Sequence, residues 1–127
     1  MAVNSDGYIG EQRAMSLFRA KGIRCFQPDL IAYDRHFGFF VVEVKYQAAF
    51  EPPPFRGHGL PSWQVKARLN FYRMTGIRCL FLVFDKNDRD VYFNWLDLLD
   101  AGEKFLTASS DRVIYGLDAF KKMDISA

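Results

Sequence analysis

The sequence GFFVVEVKY, residues 38–46, is rich in β-branched and aromatic side chains and carries an acid and a lysine two positions apart. Such a composition is typical of a β-strand. Side chains alternate between the two faces of a strand, so Glu43 and Lys45 share one face. Val42 and Val44 lie on the opposite, apolar face. The stretch therefore predicts a strand with two opposite charges on one side of a sheet.

A second apolar run precedes this strand. Residues 23–33 are rich in Ile, Phe and Tyr, and the polar residues 34–36 separate the two runs, which predicts two strands joined as a hairpin. If the hairpin closes near residues 35–38, Asp29 lies on the neighbouring strand within a few residues of Glu43. Two carboxylates and one ammonium group then converge, and this is the outline of a metal site.

Helices are predicted on both sides of the hairpin. Residues 8–21 contain no proline, and the spacing of Ala14, Met15 and Phe18 indicates an amphipathic helix that Gly22 ends. Residues 62–75 form a second predicted helix. Its hydroxyl cap is Ser62 and its terminating glycine is Gly76.

The remaining segments complete a mixed α/β order. The proline- and glycine-rich residues 50–61 predict a loop, and the apolar residues 77–84 predict a buried central strand. Beyond them the patterns predict a strand, a short helix and a last strand or edge at residues 91–96, 98–108 and 112–117. A mixed central sheet flanked by helices accommodates this order. Gly-Ile-Arg-Cys follows both of the first two helices, which indicates a shared helix-to-strand junction rather than a duplication.

The composition describes one domain, residues 1–127. The chain is 50% hydrophobic and 17% aromatic with a net charge of +2, so it can form one core, and its charge alone does not identify a nucleic-acid partner. A basic face and an ordinary mixed surface remain equally open. Cys25 and Cys79 are far apart and without a CxxC motif, which indicates reduced, small apolar residues, although a single disulfide stays open. Without a leader-like or membrane-spanning stretch, we expect a cytoplasmic protein with no membrane association.

The paired acids suit phosphodiester hydrolysis, which needs a hard divalent cation to neutralise developing charge. Asp29 and Glu43 supply carboxylates, and the carbonyl of Val44 can add a further ligand. Lys45 can position or polarise the attacking water and stabilise the transition state. The alternative is an ion pair at the rim of a sheet, because short matches of this kind arise by chance.

Two further polar residues have both a catalytic and an ordinary interpretation. Glu11 lies at the margin of the apolar stripe of the first helix, where it can serve a metal or simply favour the helix N-terminus. Gln64 lies one turn from Arg68 in the second helix. It can contact phosphate or the attacking water, or be a solvated glutamine.

The motifs together resemble the PD-(D/E)XK nuclease superfamily. The strings Pro28-Asp29-Leu30-Ile31-Ala32 and Val42-Glu43-Val44-Lys45 are similar to those of archaeal-type Holliday junction resolvases. The serine and glutamine of residues 62–64, followed by Gly76 and a strand, also resemble the VRR-NUC group. The likeness spans residues 10–84, and residues after 85 are unassigned.

This resemblance implies an αβββαβ core and an endonuclease that uses Mg²⁺ or Mn²⁺ to cleave DNA to 5′-phosphate and 3′-hydroxyl ends. It implies Glu11, Asp29 and Glu43 as metal ligands, Lys45 as the catalytic lysine and Gln64 as a supporting active-site residue. It also implies a homodimer acting on branched or structured DNA. The chain departs from resolvases in the residue after the helix glutamate, Gln12, and in its proline-rich insert, which puts junction specificity in doubt.

The basic side chains predicted to contact DNA are Arg13, Arg56, Lys66 and Arg68. Within the insert, Arg56 is expected to contact a substrate phosphate, whereas Phe55 can either stack on an unpaired base or cover the core or a dimer partner. Phe50 and Trp63 are interpreted as covering the core or a dimer partner, and His58 as incidental.

Two rival functions differ from a nuclease in their chemistry. A DNA-binding module without catalysis needs no clustered acids beside phosphate, where they would oppose binding. An assembly protein with a coincidental motif needs neither DNA nor metal. We therefore expect a nuclease that is resolvase-like or otherwise structure-specific.

Overall fold

The computed structural model describes residues 5–26, 30–107 and 111–124, and for residues 5–8, 11 and 24–26 it describes the backbone alone. The described chain forms three α-helices, nine strands and a short 3-10 helix. In chain order these are α1 (Ser5–Ala20), β1 (Arg24–Phe26), β2 (Ile31–Asp34), β3 (Gly38–Gln47), β4 (Gly57–Pro61), α2 (Ser62–Thr75), β5 (Cys79–Asp85), β6 (Val91–Trp95), α3 (Leu96–Ala101), β7 (Lys104–Leu106), β8 (Arg112–Gly116), the 3-10 helix (Leu117–Ala119) and β9 (Lys121–Lys122).

The main sheet has six strands in the order β1-β2-β3-β5-β6-β9. Strands β3 and β5 run parallel and the other neighbours run antiparallel, because the α2 crossover returns the chain to the same end of the sheet. The predicted mixed sheet flanked by helices, with an αβββαβ order interrupted by β4, is confirmed.

The core has one layer on each side of this sheet. Ala14 and Phe18 of α1 pack with Phe40, Val42 and Leu82 on one face. A second layer on the other face joins strand residues to α2, α3 and the small sheet, and comprises Leu60, Val65, Cys79, Phe81, Val83, Tyr92, Leu96, Leu99, Tyr115 and Phe120. Every residue of β5 is buried, as its continuous apolar run predicts.

The predicted hairpin is β2–β3, which closes through a turn whose backbone amides at His36 and Phe37 donate to the Asp34 carboxylate. The prediction of one strand over residues 23–33 is wrong. That segment forms two short strands, β1 and β2, which pair with each other in the register Cys25↔Ala32. Because β1 and β2 run antiparallel to each other, they cannot belong to one continuous strand.

Both Gly-Ile-Arg-Cys segments begin with a left-handed glycine. Gly22 and Gly76 each have a φ of +78°, and the Gly76 amide donates to the carbonyl of Tyr72. Glycine adopts this conformation without a Cβ penalty. The shared helix-to-strand junction is confirmed.

The prediction of a loop over residues 50–61 is wrong at its C-terminal end. Residues 57–61 form β4, which pairs with β8 in a three-stranded sheet ordered β4-β8-β7. A Cβ on Gly57 would lie 2.0 Å from the Tyr115 carbonyl oxygen, and one on Gly59 would lie 2.2 Å from that of Val113. Glycine occurs in this strand because the two backbones approach too closely for a side chain.

Two further expectations need correction. The predicted helix over residues 98–108 is shorter and is followed by β7, because α3 ends before Gly102 and Phe105 pairs with Ile114. Ser62 is the first residue of α2 rather than its cap, and Pro61 occupies the cap position.

Two other findings concern membrane-spanning helices and the cysteine at position 79. Within the described ranges, no helix combines the length and the apolar character that a membrane span needs. Cys79 is a free, buried thiol, and burial is the main cause that raises its pKa to about 12.

Replacing Gly59 with alanine is expected to destabilise the protein by about 1–3 kcal/mol, the usual range for overpacking. The added Cβ would lie 2.2 Å from the Val113 carbonyl oxygen and 2.6 Å from Ile114 Cδ1, and the backbone oxygen of the paired strand cannot rotate aside as a side chain can. Urea unfolding measures the change. Gly102→Ala is the matched control, because its Cβ would meet no atom closer than 3.6 Å and little change is expected. Equal stability of the two variants would contradict the close approach of β4 and β8.

Candidate active site

Glu43 lies in the middle of β3, between β2 and β5, and is opposite Phe81 in the parallel pair. Its side chain is buried. The Nε of Arg68 in α2 donates to Glu43 Oε1 over 2.6 Å. A buried carboxylate needs such a partner. The residue predicted as the central acid is therefore held between the sheet and α2.

Lys45 follows two residues later, opposite Val83 on β5, and is half-buried. Alternation along β3 places it on the face of Glu43. Val42 and Val44 are on the opposite face and pack in the core layer of α1. The structure thus brings the predicted acid and lysine to one face of one strand.

The backbone of Val44 points towards the β2 side of β3. The backbone amide of Val41 donates to the carbonyl oxygen of Arg78 on the β5 side. The next amide, that of Val42, donates to the carbonyl oxygen of Leu30 on the β2 side. Successive residues of a strand alternate in this direction, so the amide and carbonyl of Val44 point to the β2 side. The ladder of β2 ends with Ile31 opposite Val41, which leaves that carbonyl beyond the ladder.

Helix α1 crosses β3 at Gly10. A Cβ there would lie 3.1 Å from Val44 Cγ1, so only glycine fits this crossing without displacement. Glu11 is the next residue of the helix. The structure describes its backbone but not its side chain. Asp29 lies outside the described residues, and it directly precedes Leu30 in the sequence.

The first turns of α2 present polar groups to the same face. Gln64 lies one turn before Arg68, the partner of Glu43. Its Oε1 is buried and accepts no hydrogen bond within the described part of the chain. An unsatisfied buried amide oxygen of this kind can accept a hydrogen bond from a water or a bound ligand.

The described residues contain no group of three His, Cys, Asp or Glu side chains able to hold a metal. Of the three carboxylates predicted to do so, the structure describes only that of Glu43. The ligand set of Glu11, Asp29, Glu43 and the Val44 carbonyl therefore stays a prediction.

The four basic residues predicted to contact DNA have different environments. Arg13 is exposed on α1, with its guanidinium 5.0 Å from the ring centroid of Tyr46. Lys66 is exposed on α2. Arg68 binds Glu43, as described above. Arg56 lies 3.6 Å from Glu51 and 3.9 Å from Asp88, so its charge is shared with two acids.

The aromatic residues of the insert do not all cover the core. Trp63 is 68% exposed on the first turn of α2, so the interpretation as a core cover is wrong for it, and a partner contact stays a prediction. Phe50 is half-buried and bridges to Gly57, with the guanidinium of Arg112 5.7 Å from its ring centroid. Phe55 packs against Gly116.

His58 is not incidental. It is fully buried on β4, where its Nε2 lies 2.8 Å from Asp85 Oδ2 and its Nδ1 lies 3.1 Å from the amide nitrogen of Gln47. An amide nitrogen is a donor, so Nδ1 accepts and Nε2 carries the proton that is donated to Asp85. This polar network ties β4 to the ends of β3 and β5. The alternation of His58 and Leu60 between glycines was the available sequence signal.

Burial is the main cause that lowers the pKa of His58, against the opposing effect of Asp85. Burial acts to raise the pKa of Asp85, but the amides of Asp88 and Asn87 and the ring of His58 outweigh it and lower that pKa. The folded protein therefore prefers a neutral imidazole beside a charged carboxylate.

The free energy of unfolding is expected to fall as the pH decreases below about 6.5, the ordinary histidine pKa, because the unfolded chain then binds a proton that folded His58 rejects. The lowered pKa of Asp85 adds a further loss below its ordinary value of 3.8. Denaturant unfolding from about pH 8 to about pH 4 measures this dependence. In His58→Gln the loss near the histidine pKa should be absent, and an unchanged slope in that variant would contradict the assignment.

Comparisons with known proteins give the fold a precedent. No protein-family model and no curated protein sequence matches the chain. Among solved structures, Hjc from Archaeoglobus fulgidus, a Holliday junction resolvase from an archaeal hyperthermophile, is similar with a TM-score of 0.60 over 94% of this chain and 92% of that chain. The sequence identity is 11%, at which a likeness shows the fold alone. The chain therefore has the fold of an archaeal Holliday junction resolvase, as its resemblance to PD-(D/E)XK nucleases predicted.

Proposed function

We propose that this chain is a metal-dependent endonuclease that hydrolyses phosphodiester bonds of branched or otherwise structured DNA in the cytoplasm. One observation carries the proposal. Glu43 and Lys45 share one face of the central strand of a resolvase-like fold, with the carboxylate buried and held by a residue of α2. A buried acid can supply one oxygen ligand to a divalent cation, and a lysine on the same face can stabilise the charge that develops on phosphate.

The proposed metal ligands are the carboxylates of Glu11, Asp29 and Glu43 and the carbonyl of Val44. These are hard oxygen donors of the kind that Mg²⁺ and Mn²⁺ prefer. One feature of the described residues fits the set, because the Val44 carbonyl points past the end of the β2 ladder. Helix α1 packs on the face of β3 opposite Glu43, so the described residues do not themselves join Glu11 to the set. When bound, a divalent cation supplies neutralisation of phosphate charge and acidification of a water molecule.

Lys45 is the proposed catalytic lysine. Its ammonium group can donate a hydrogen bond to the attacking water or to a phosphoryl oxygen, so that the negative charge that develops there is stabilised. Gln64 is the proposed supporting residue, because its buried Oε1 can accept a hydrogen bond from the attacking water and fix its orientation.

Arg68 has a double role in this proposal. Its Nε orients Glu43, and its terminal N–H groups form no other hydrogen bond among the described residues. A planar guanidinium can therefore hold the carboxylate and a substrate phosphate at the same time. Lys66, one exposed residue of the same helix, and Arg13 on α1 are proposed to contact the DNA backbone further away.

Substituting Glu43 by glutamine or Lys45 by alanine is expected to abolish DNA cleavage while folding is retained. Glutamine keeps an acceptor for Arg68 but removes the charge that a metal ligand needs. The test incubates four-way junction, flap, single-stranded and linear duplex DNA with Mg²⁺ and with Mn²⁺ and compares the products with those of the wild type. Circular dichroism checks the fold of each variant.

Glu103→Gln and Lys21→Ala are the matched controls, because both side chains are exposed. These substitutions remove the same charges as the two active-site substitutions. Undiminished cleavage by either active-site variant overturns the proposed chemistry. Wild-type protein that binds DNA without metal and never cuts it would be the DNA-binding module, and protein that does neither would be an assembly protein. The DNA shape that is cut fastest separates junction resolution from exonuclease or restriction-like activity.

A homodimer is also proposed, since one active site cuts one strand and a four-way junction needs two cuts. The uncovered part of the main sheet carries exposed aromatic side chains on β2 and β3. Tyr33 and Phe39 are 39% and 55% exposed, and their ring centroids lie 4.9 Å apart. An exposed aromatic pair of this kind is common in protein interfaces.

Phe39→Glu is expected to shift the chain from dimer to monomer, because a charge would be buried in the interface without a partner. Sedimentation equilibrium measures the association. Phe37→Glu, in the turn between the same strands, is a control for added charge at a still more exposed position. A monomeric wild type would contradict the dimer without bearing on the chemistry of Glu43.

A further inference from the structure

A cluster of cations lies on the α1 side of the sheet, at the C-terminal end of β3. The guanidinium of Arg13 lies 5.0 Å from the ring centroid of Tyr46, and the ammonium group of Lys86 lies 5.2 Å from the same centroid. The Lys86 amide donates to the Gln47 carbonyl, which fixes the start of the turn beyond β5 against the end of β3. Two positive charges thus share one aromatic ring, an arrangement in which each repels the other.

Arg89 adds a third cation in an unfavourable backbone conformation. Its φ is +65°, and it is the one residue other than glycine with a positive φ among those described. The left-handed region favours glycine or asparagine and costs free energy for a long side chain. A long cationic side chain therefore occupies a position at which glycine would have the lower conformational cost.

The neighbouring acids do not neutralise Arg89. Asp85 is bound to His58, Asp88 accepts from the hydroxyl of Tyr92, and Asp90 pairs with Lys122. Within the described ranges, neither Arg89 nor Arg13 forms an ion pair with a carboxylate. Each acid of this turn is committed to another partner, so the guanidinium groups keep their full charge.

Arg13 and Arg89 line one open groove of about 530 Å³ between α1 and the turn after β5. Gln12 and Ser16 add polar groups to its rim, while Leu17, Phe84 and Val91 form an apolar floor. A groove with cationic rims and hydroxyl and amide donors suits a phosphodiester backbone, whose oxygens accept hydrogen bonds and whose charge attracts both guanidinium groups.

We propose that Arg13, Lys86 and Arg89 form a second phosphate-binding site for DNA, on the side of the sheet opposite Glu43. This inference rests on the proposed function for the identity of the ligand. Lys45 and Tyr46 are consecutive on β3 and point to opposite faces, so the two sites meet at one end of one strand. A DNA backbone that passes Lys45 can continue around this end onto the cluster, which fixes the direction in which the substrate leaves the active site.

The test measures binding of a fluorescein-labelled four-way junction in EDTA, where no cleavage occurs, as a function of salt. Each phosphate contact contributes about 0.9 to the slope of log K against log salt, so Arg89→Gly should lower the slope by about one and Arg13→Ala with Arg89→Gly by about two. Glycine is favoured at this φ, so the melting temperature of Arg89→Gly should be unchanged or higher. Weaker binding by a protein of equal or greater stability is the signature of a charge retained for a ligand.

Arg35→Ala is the matched control, because Arg35 is exposed in the turn at the opposite end of β3. Its substitution removes the same charge as that of Arg89. Arg89→Lys keeps the charge and the unfavourable φ, and should retain most of the slope. Equal slopes for Arg89→Gly and Arg35→Ala overturn the second site, whatever the nuclease assay gives. If the wild-type protein never cuts DNA, and the salt slope of DNA binding falls only in the cluster variants, the proposed function is overturned and this site still stands.

Discussion

The position of Glu43 on the central strand is the constraint on which the rest of the site depends. A carboxylate among apolar neighbours needs a partner, and the partner is Arg68, which only a helix crossing that face of the sheet can supply. The α2 crossover that makes β3 and β5 parallel is therefore also the element that brings a guanidinium to the acid. Because alternation gives the other face of β3 to α1, both helices are fixed by one strand, and Glu43 lies on the face that α2 crosses.

Much of this arrangement is local and was predictable from the sequence. The period of two in residues 38–46 gives the faces of Glu43 and Lys45, and the left-handed glycines at Gly22 and Gly76 give the helix ends. The small sheet was not predictable in the same way. Its strands pair residues that are far apart in the chain, and the glycines of β4 resemble loop residues until the backbone of β8 lies against them. Secondary-structure propensity describes each segment by itself, so it cannot predict that two distant segments pack closely together.

The site divides along the same line. Two charges on one strand follow from spacing alone, whereas the Arg68 contact and the His58 to Asp85 hydrogen bond depend on where α2 and β4 return to the sheet. Sequence reasoning treated Arg68 as a free DNA contact and His58 as incidental, because an isolated segment does not show which charge is already paired. Burial decides both cases: a polar side chain inside the fold is satisfied by a particular neighbour, and that neighbour is a tertiary fact.

Under the proposed function, the two faces of β3 would also separate a cluster of acids from the cations that attract a polyanion. Carboxylates placed together repel phosphate, so the proposed nuclease would need cations close enough to attract the DNA backbone yet separate enough to leave the acids free. On the Glu43 face, the Nε–H group of Arg68 donates a hydrogen bond to the Glu43 carboxylate. On the other face, Arg13 and Lys86 lie over Tyr46 and Arg89 keeps a strained conformation, while Asp85, Asp88 and Asp90 are engaged elsewhere. One strand end thus separates the charge that is suited to chemistry from the charge that is suited to attraction, and the separation follows from the alternation of side chains along β3.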